Sequence, residues 1–281
     1  MQKNIIIATC ILFATIGTIT NNVKAESLDQ PDGNHTFEAS INHFHFDYKE
    51  ILTPPAKSTE EEWLTGIHLV YSYKKPEENE PISYRIMVDY ADGETYYDGS
   101  TFDGTPLVGT TDNSFFTGEV NIGYTFQGYL NVTAYSGIGY RNWKRGDIGG
   151  PGSYSEIYSW GYLPVGVRTD YRLTEKLTGA LDISAHYMLN GKIKVLFSEY
   201  DPDYNDGKAS LGNKMGWKVE APLQYRISRQ WSFIATPWYE YTKIGRGSDF
   251  LLTDGVTPFI AYEPASKTKQ YGVNIGFKAH F

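Results

Sequence analysis

The run that decides the fold is the last one: Gln270-Tyr271-Gly272-Val273-Asn274-Ile275-Gly276-Phe277-Lys278-Ala279-His280-Phe281. Tyr271, Val273, Ile275, Phe277, Ala279 and Phe281 share one face, and Gln270, Gly272, Asn274, Gly276, Lys278 and His280 share the other. A period of two identifies a strand, because successive side chains point to opposite sides of the pleat. One apolar face and one polar face suit a strand standing between lipid and a polar lumen.

A strand of this kind ending on an aromatic resembles the sorting signal of bacterial outer-membrane β-barrel proteins. The resemblance implies recognition by the barrel-assembly machinery through the strand ending Phe281. The front of the chain gives a concordant address. Lys3 precedes an apolar stretch from Ile5 to Ile19, and Val23-Lys24-Ala25 follows as a small-x-small site. This pattern predicts a secretory signal peptide over 1–25 and a barrel domain over 26–281, beginning at Glu26. The apolar stretch is shorter than the ~20 residues a membrane helix needs. Thr9 before Cys10 argues against lipid attachment there.

Cys10 is the sole cysteine, so removal of the leader leaves no disulfide, thiolate nucleophile or thiolate metal site. The formal charge is −8, and loss of Lys3 and Lys24 makes it more negative. Such acidity excludes nucleic acid as a partner, since phosphate binding needs basic patches. No mature segment is apolar enough for a membrane helix, which a barrel does not require, because inward and outward residues average out. The 23 tyrosines suit aromatic girdles.

Ten segments alternate: Thr36–Tyr48, Trp63–Lys74, Ile82–Ala91, Phe115–Phe126, Tyr129–Trp143, Tyr158–Leu173, Leu177–Lys192, Met215–Ser228, Trp231–Lys243 and Gln270–Phe281. Tight connections at Gln127-Gly128, Thr174-Glu175-Lys176 and Arg229-Gln230, with a modest one at Lys75–Pro81, alternate with long ones. The long connections are Glu50–Glu62, Asp92–Ser114, Lys144–Ile157, Ile193–Lys214 and Ile244–Lys269. The expected fold is therefore all-β: a closed antiparallel up-and-down transmembrane barrel of ten strands, with eight or twelve as alternatives. An even count puts both termini on the periplasmic side and the long loops outside. Two features resist. Pro164, Pro222 and Pro237 interrupt strands, where bulges or boundary errors are expected. In the first strand the apolar phase changes between Ile41 and Phe44, which either a bulge near Asn42 or inward-pointing aromatics would explain.

Positions opposite the apolar faces should line the lumen. The charges expected there are Arg85, Glu119, Arg141, Arg168, Asp170, Asp182, His186, Lys218, Glu220 and Glu240, a set of both signs that predicts a plugged interior of ion pairs. A wide aqueous pore would need about 16–18 strands. Among the loops, Glu199, Asp201, Asp203 and Asp206 form an oxygen-rich stretch that could take a cation or ligand, although Asp, Asn, Gly and Pro are ordinary turn formers. His43 and His45 share a strand face, but two imidazoles fall short of a zinc set. The second long loop carries Asp92, Glu94, Asp98, Asp103 and Asp112 without a basic residue.

Known barrel enzymes offer two patterns. Omptin-type proteases carry an Asp-x-His pair, and no aspartate here has histidine two positions on. Small-barrel lipid A deacylases carry His-x-Ser, which is also absent. Asp182 and His186, four residues apart on a strand, are too distant for direct contact. No catalytic residue, metal or cofactor is expected.

The segments Tyr97-Asp98-Gly99-Ser100 with Asp103-Gly104-Thr105-Pro106, Tyr135-Ser136-Gly137-Ile138-Gly139-Tyr140-Arg141, Tyr162-Leu163-Pro164-Val165-Gly166 and Asp201-Pro202-Asp203-Tyr204-Asn205-Asp206 resemble a largely uncharacterised group of proteobacterial outer-membrane barrels. The resemblance implies an integral protein of the Gram-negative outer membrane, in contact with lipid and lipopolysaccharide. It transfers no catalytic residue. The expected function is non-enzymatic, with extracellular loops making surface contacts or binding a ligand or host component. A narrow ion- or solute-conducting channel is the alternative, and an outer-membrane hydrolase a lesser one.

Overall fold

The computed structural model describes residues 34–74, 81–101, 104–128, 130–148 and 154–281. The expected signal peptide lies outside the described residues, as do Asp103, Tyr129 and most of the Lys75–Pro81 turn. The strands are β1 (His35–Glu50), β2 (Ser58–Lys74), β3 (Ile82–Ser100), β4 (Pro106–Phe126), β5 (Asn131–Arg145), β6 (Glu156–Arg172), β7 (Leu177–Val195), β8 (Gly207–Ser210), β9 (Met215–Glu220), β10 (Leu223–Arg226), β11 (Trp231–Ile244), β12 (Phe250–Thr253), β13 (Pro258–Ala261) and β14 (Ser266–His280), with one helical turn, α1 (Phe197–Tyr200), after β7.

Every neighbouring pair is antiparallel, and β14 pairs with β1 from Ser266↔Glu50 to His280↔Thr36, which closes the sheet. β9 and β10 are two halves of one staved position between β7 and β11. The result is a closed ten-strand barrel. Closure removes the unpaired edges that an open sheet would expose. The terminal Phe281 exchanges backbone bonds with His35 and stacks on its ring 5.9 Å away, so the last residue sits on the seam.

The outer wall separates into bands. Toward the long-connection end, Trp63, His45 and Tyr271 touch ring to ring, as do Tyr239 and Trp217, and Tyr239 pairs in register with Tyr271. Tyr73, Tyr84, Tyr124 and Phe126 mark the short-turn end. Between them, Ile41, Ile67, Ile86, Val120, Ile138, Val165 and Ile275 are exposed. Trp63 and Tyr73 are ten residues apart on β2, roughly 33 Å along the strand at ~3.3 Å per residue. A tilt of about 40° reduces that to about 25 Å, the height of the apolar band in outer-membrane barrels.

The phase change in β1 is resolved without a bulge. Register runs unbroken through Asn42, which faces Gly66 on one side and Asn274 on the other. Phe44, Phe46 and Tyr48 point inward and are 3%, 1% and 0% exposed. None of the three prolines carries a bulge. Pro222 splits β9 from β10, yet register against β7 and β11 is the same on both sides, and its carbonyl accepts from Ala180 N at 2.8 Å. Pro237 pairs in register with Val273. At Pro164 the β5 ladder lapses, and Ser136 Oγ donates to the Pro164 carbonyl at 2.9 Å instead. Register between β6 and β7 shifts between Ser159 and Gly161.

The long connections are more structured than their polarity predicted. β3 and β4 continue as a hairpin to Ser100 and Pro106, so most of Asp92–Ser114 is strand. Alternation continues there with Thr95, Tyr97, Thr111 and Asn113 turned inward and buried. The later connections add α1, β8 and the β12–β13 hairpin, which fold over the same end.

Two of the quoted segments pair with each other. Gly139 faces Tyr162 and Tyr135 faces Gly166 across β5 and β6. Each tyrosine ring lies over the opposing glycine, where a built Cβ on Gly139 would stand 2.2 Å from the Tyr162 ring. This is aromatic cover of a glycine. Replacing Gly139 with Val should displace that ring from Glu119 and destabilise the barrel by about 1–3 kcal/mol, the usual cost of overpacking. A guanidinium titration in detergent checks it, and an unchanged midpoint would reject the packing argument.

Candidate functional site

The inward positions form tiers. Nearest the short turns, Ser232 Oγ and His280 Nε2 lie 3.0 Å apart and Arg168 pairs with Asp170 at 2.9 Å. Above them, Asp182 meets Arg85 at 3.4 Å and accepts from Tyr135 Oη at 2.6 Å. Lys218 pairs with Glu220 at 3.0 Å, and Arg85 stands 3.9 Å from Glu220. His68 bonds Asp89 at 2.6 Å, and Lys278 pairs with Glu38 at 3.4 Å. One tier higher, Arg141 grips Glu240 with two nitrogens at 2.8 and 3.1 Å. Beside it Glu119 accepts from Tyr162 Oη at 2.7 Å and Asn121 Nδ2 at 2.6 Å. Nine of the ten charges named from the sequence take part in these contacts, and the tenth, His186, lies beside Glu240. Sequence reasoning passed over Glu38 and His68. The parity of Glu38, Ser40 and Asn42 with the buried Phe44 was the available signal.

The tier also holds a serine, a histidine and a carboxylate in a row. Ser184 Oγ lies 2.9 Å from His186 Nε2, and His186 Nδ1 lies 3.7 Å from Glu240. The order is Ser-x-His rather than His-x-Ser, and the acid comes from β11. The adjoining cavity is only about 70 Å³, enough for a few waters. Both Glu240 oxygens already engage Arg141.

Above this level Phe44, Phe46, Tyr48, Phe115, Trp143, Tyr158 and Trp160 fill the bore. Trp143 stacks on Tyr158 at 4.6 Å and on Phe115 at 5.8 Å. Aromatic pairs at these centroid distances are favourable beyond their burial.

On that layer rests a second ionic cluster that the sequence did not single out. Arg145 bonds Glu60 through Nε, Glu156 through Nη1 at 2.8 Å, Glu50 through Nη1 at 3.3 Å and Ser58 Oγ through Nη2 at 3.3 Å. Glu60 also accepts from Thr95 and Asn113, and Asn113 accepts from Trp143 Nε1. The guanidinium lies over the rings of Tyr48 and Tyr97 at 5.4 and 5.5 Å. Three carboxylates thus share one cation.

Over this floor opens a cavity of about 750 Å³. Its floor is Glu50, Arg145, Glu156 and Glu263; its walls include Tyr97, Tyr154, Phe197, Tyr200, Tyr204, Phe250, Leu252 and Phe259. Tyr154, Phe197, Tyr204 and Phe259 touch one another ring to ring. Burial, then the negative fields of Glu156 and Glu50, push the Glu263 carboxyl well above the usual carboxylate range.

The oxygen-rich stretch of the fourth connection does not converge. Asp206 accepts from Ser198 Oγ and pairs with Lys194 at 3.0 Å; Asp201 accepts from the Asp203 amide; Glu199 accepts from the Ser155 amide. No three His, Cys, Asp or Glu side chains gather as a metal site among the described residues. His43 bonds Thr65 and stacks on Trp63 on the outer wall. Asp98 of the acidic hairpin pairs with Lys57.

No family model matches the sequence, and no curated protein matches it either. Solved structures do. The outer membrane protease OmpT from Escherichia coli superposes with a TM-score of 0.56 at 10% identity, over 89% of this chain and 97% of that one. OprG from Pseudomonas aeruginosa gives 0.41 at 11% identity over 90% and 97%. The Pseudomonas putida toluene transporter TodX gives 0.35 at 9% over 89% and 91%. The chain has the fold of a ten-strand bacterial outer-membrane β-barrel.

Proposed function

We propose that this chain is a non-enzymatic barrel of the Gram-negative outer membrane that holds a small ligand at its extracellular end. In this reading the termini are periplasmic, the outer wall meets lipid and lipopolysaccharide, and the strand ending Phe281 engages the barrel-assembly machinery. The observation that carries it is the cavity of about 750 Å³ above a filled bore, within the ~300–1,000 Å³ range of small-molecule sites. The tiers beneath it favour ligand holding over conduction. The Ser184–His186–Glu240 group lacks both substrate room and a free carboxylate, which weighs against hydrolysis.

The test uses the full chain in lipid nanodiscs and three probes of different charge: benzyltrimethylammonium, benzyl alcohol and benzoate. Saturation-transfer NMR should show binding of at least one probe and its loss in Ala261→Trp, which fills the cavity. No binding, or binding unchanged by A261W, would overturn the reading. In planar bilayers the protein should be electrically silent; discrete conductance steps would favour the channel instead.

A further inference from the structure

The cavity floor is unbalanced. Arg145 is shared by Glu50, Glu60 and Glu156, and Glu263 lines the same space while being only 5% exposed. Among the described residues Glu263 makes no ion pair; its one side-chain bond joins Oε1 to Tyr158 Oη at 2.7 Å. The same Tyr158 hydroxyl lies 2.9 Å from Glu156 Oε2. A hydroxyl has one hydrogen and can donate to only one of these carboxyls. The other contact is satisfied when its carboxyl carries a proton and donates to Tyr158. Glu156 is already held by Arg145, so the proton belongs on Glu263. A buried acid without an ion-pair partner, beneath the rings of Tyr154, Phe197, Tyr204 and Phe259, can supply a negative charge once a cation arrives. Such surroundings suit organic ammonium groups. At the rim, Arg246 already lies 4.0 Å over the Tyr262 ring.

We propose that the ligand of this cavity is an organic cation, an ammonium or guanidinium group on an apolar body, with Glu263 as its counter-charge. This rests on the reading that the cavity holds a small ligand. In the empty cavity Glu263 is neutral. It faces Glu156 and Tyr158 from β6, Tyr154 from the connection before β6, Tyr48 and Glu50 from β1 and Arg145 from β5. An arriving cation favours the ionised form, so binding releases a proton. Affinity for the cation therefore rises with pH while Glu263 titrates, and levels off above its empty-state pKa.

Calorimetry on the full chain in nanodiscs tests this with the same probes between pH 6 and 9. Benzyltrimethylammonium should bind at least tenfold more tightly than benzyl alcohol, and its heat should differ between phosphate and Tris in the sense of proton release. Glu263→Gln should bring the cation to the level of benzyl alcohol, abolish proton release and leave benzyl alcohol within twofold. Benzyl alcohol or benzoate binding as tightly as the cation, with loss in A261W, would overturn the cation assignment and leave the cavity reading standing. Absence of all binding would overturn both. An unchanged cation affinity in E263Q would also overturn it. If E263Q does not fold, the wild-type proton release decides: none means the assignment is wrong.

Discussion

Arg145→Met is expected to cost the barrel about 3–5 kcal/mol, the range for removing one partner of a buried ion pair. The residue is 8% exposed and is the cation shared by Glu50, Glu60 and Glu156. Methionine fills much of the volume but leaves three carboxylates without their counter-charge. Thr95 and Asn113 still donate to Glu60, and Ser58 to Glu50, so the loss falls hardest on charge and less on hydrogen bonding. Arg145→Lys keeps the charge without the planar fork and should lie between. Adding Glu60→Gln to Arg145→Met should recover part of the loss. Guanidinium midpoints in detergent provide the measure; an R145M barrel as stable as wild type would mean the cluster is solvated and not a sealed floor.

Removing Glu240 alone should have a comparable effect for a related reason. It grips Arg141 with both oxygens and lies 3.7 Å from His186. Glu240→Ala therefore strands a guanidinium in the bore, with Thr117 Oγ1 and the faces of Trp160 and Tyr162 as remaining contacts. A loss of about 3–5 kcal/mol is expected. The double variant Arg141→Met, Glu240→Leu removes both charges and fills the space, so it should lose far less than E240A. The deciding comparison is a double-mutant cycle on the same substitutions, R141M, E240L and the pair. Additive losses would show that the two side chains do not interact across the lumen.

Strand positions and the lumen charges were legible because a strand has a strict period of two. Arg141 and Glu240 were assigned inward from the polarity of their own strands, without knowledge that they would meet. That meeting depends on closure, which brings β5 and β11 across a narrow bore from 99 residues apart. The Ser184–His186 order is the reverse of the His-x-Ser spacing, so no known motif marks it in the sequence. The Arg145 cluster escaped because its members sat at segment boundaries: Glu50, Glu60 and Glu156 fell in or beside connections read as polar loops. Their burial follows from the barrel continuing past the aromatic girdle, where inward positions still face other strands and not water.

The loop-end cavity depends still more on long-range folding. Tyr154, Phe197, Tyr204 and Phe259 come from three separate connections. Polarity could mark those connections as exposed, but a ring becomes a wall only when other segments fold over it.

By itself, then, the sequence determined the barrel and the sorting of charge inward and apolar side chains outward, since each is a local consequence of alternation and turn length; the closed pairing selected ten strands from the eight, ten or twelve that alternation allowed. Only the tertiary structure decided which charges pair, that the bore is filled by aromatics, and that a cavity remains above Arg145. Those outcomes are set by distances across the closed sheet, and alternation along one strand carries no information about them.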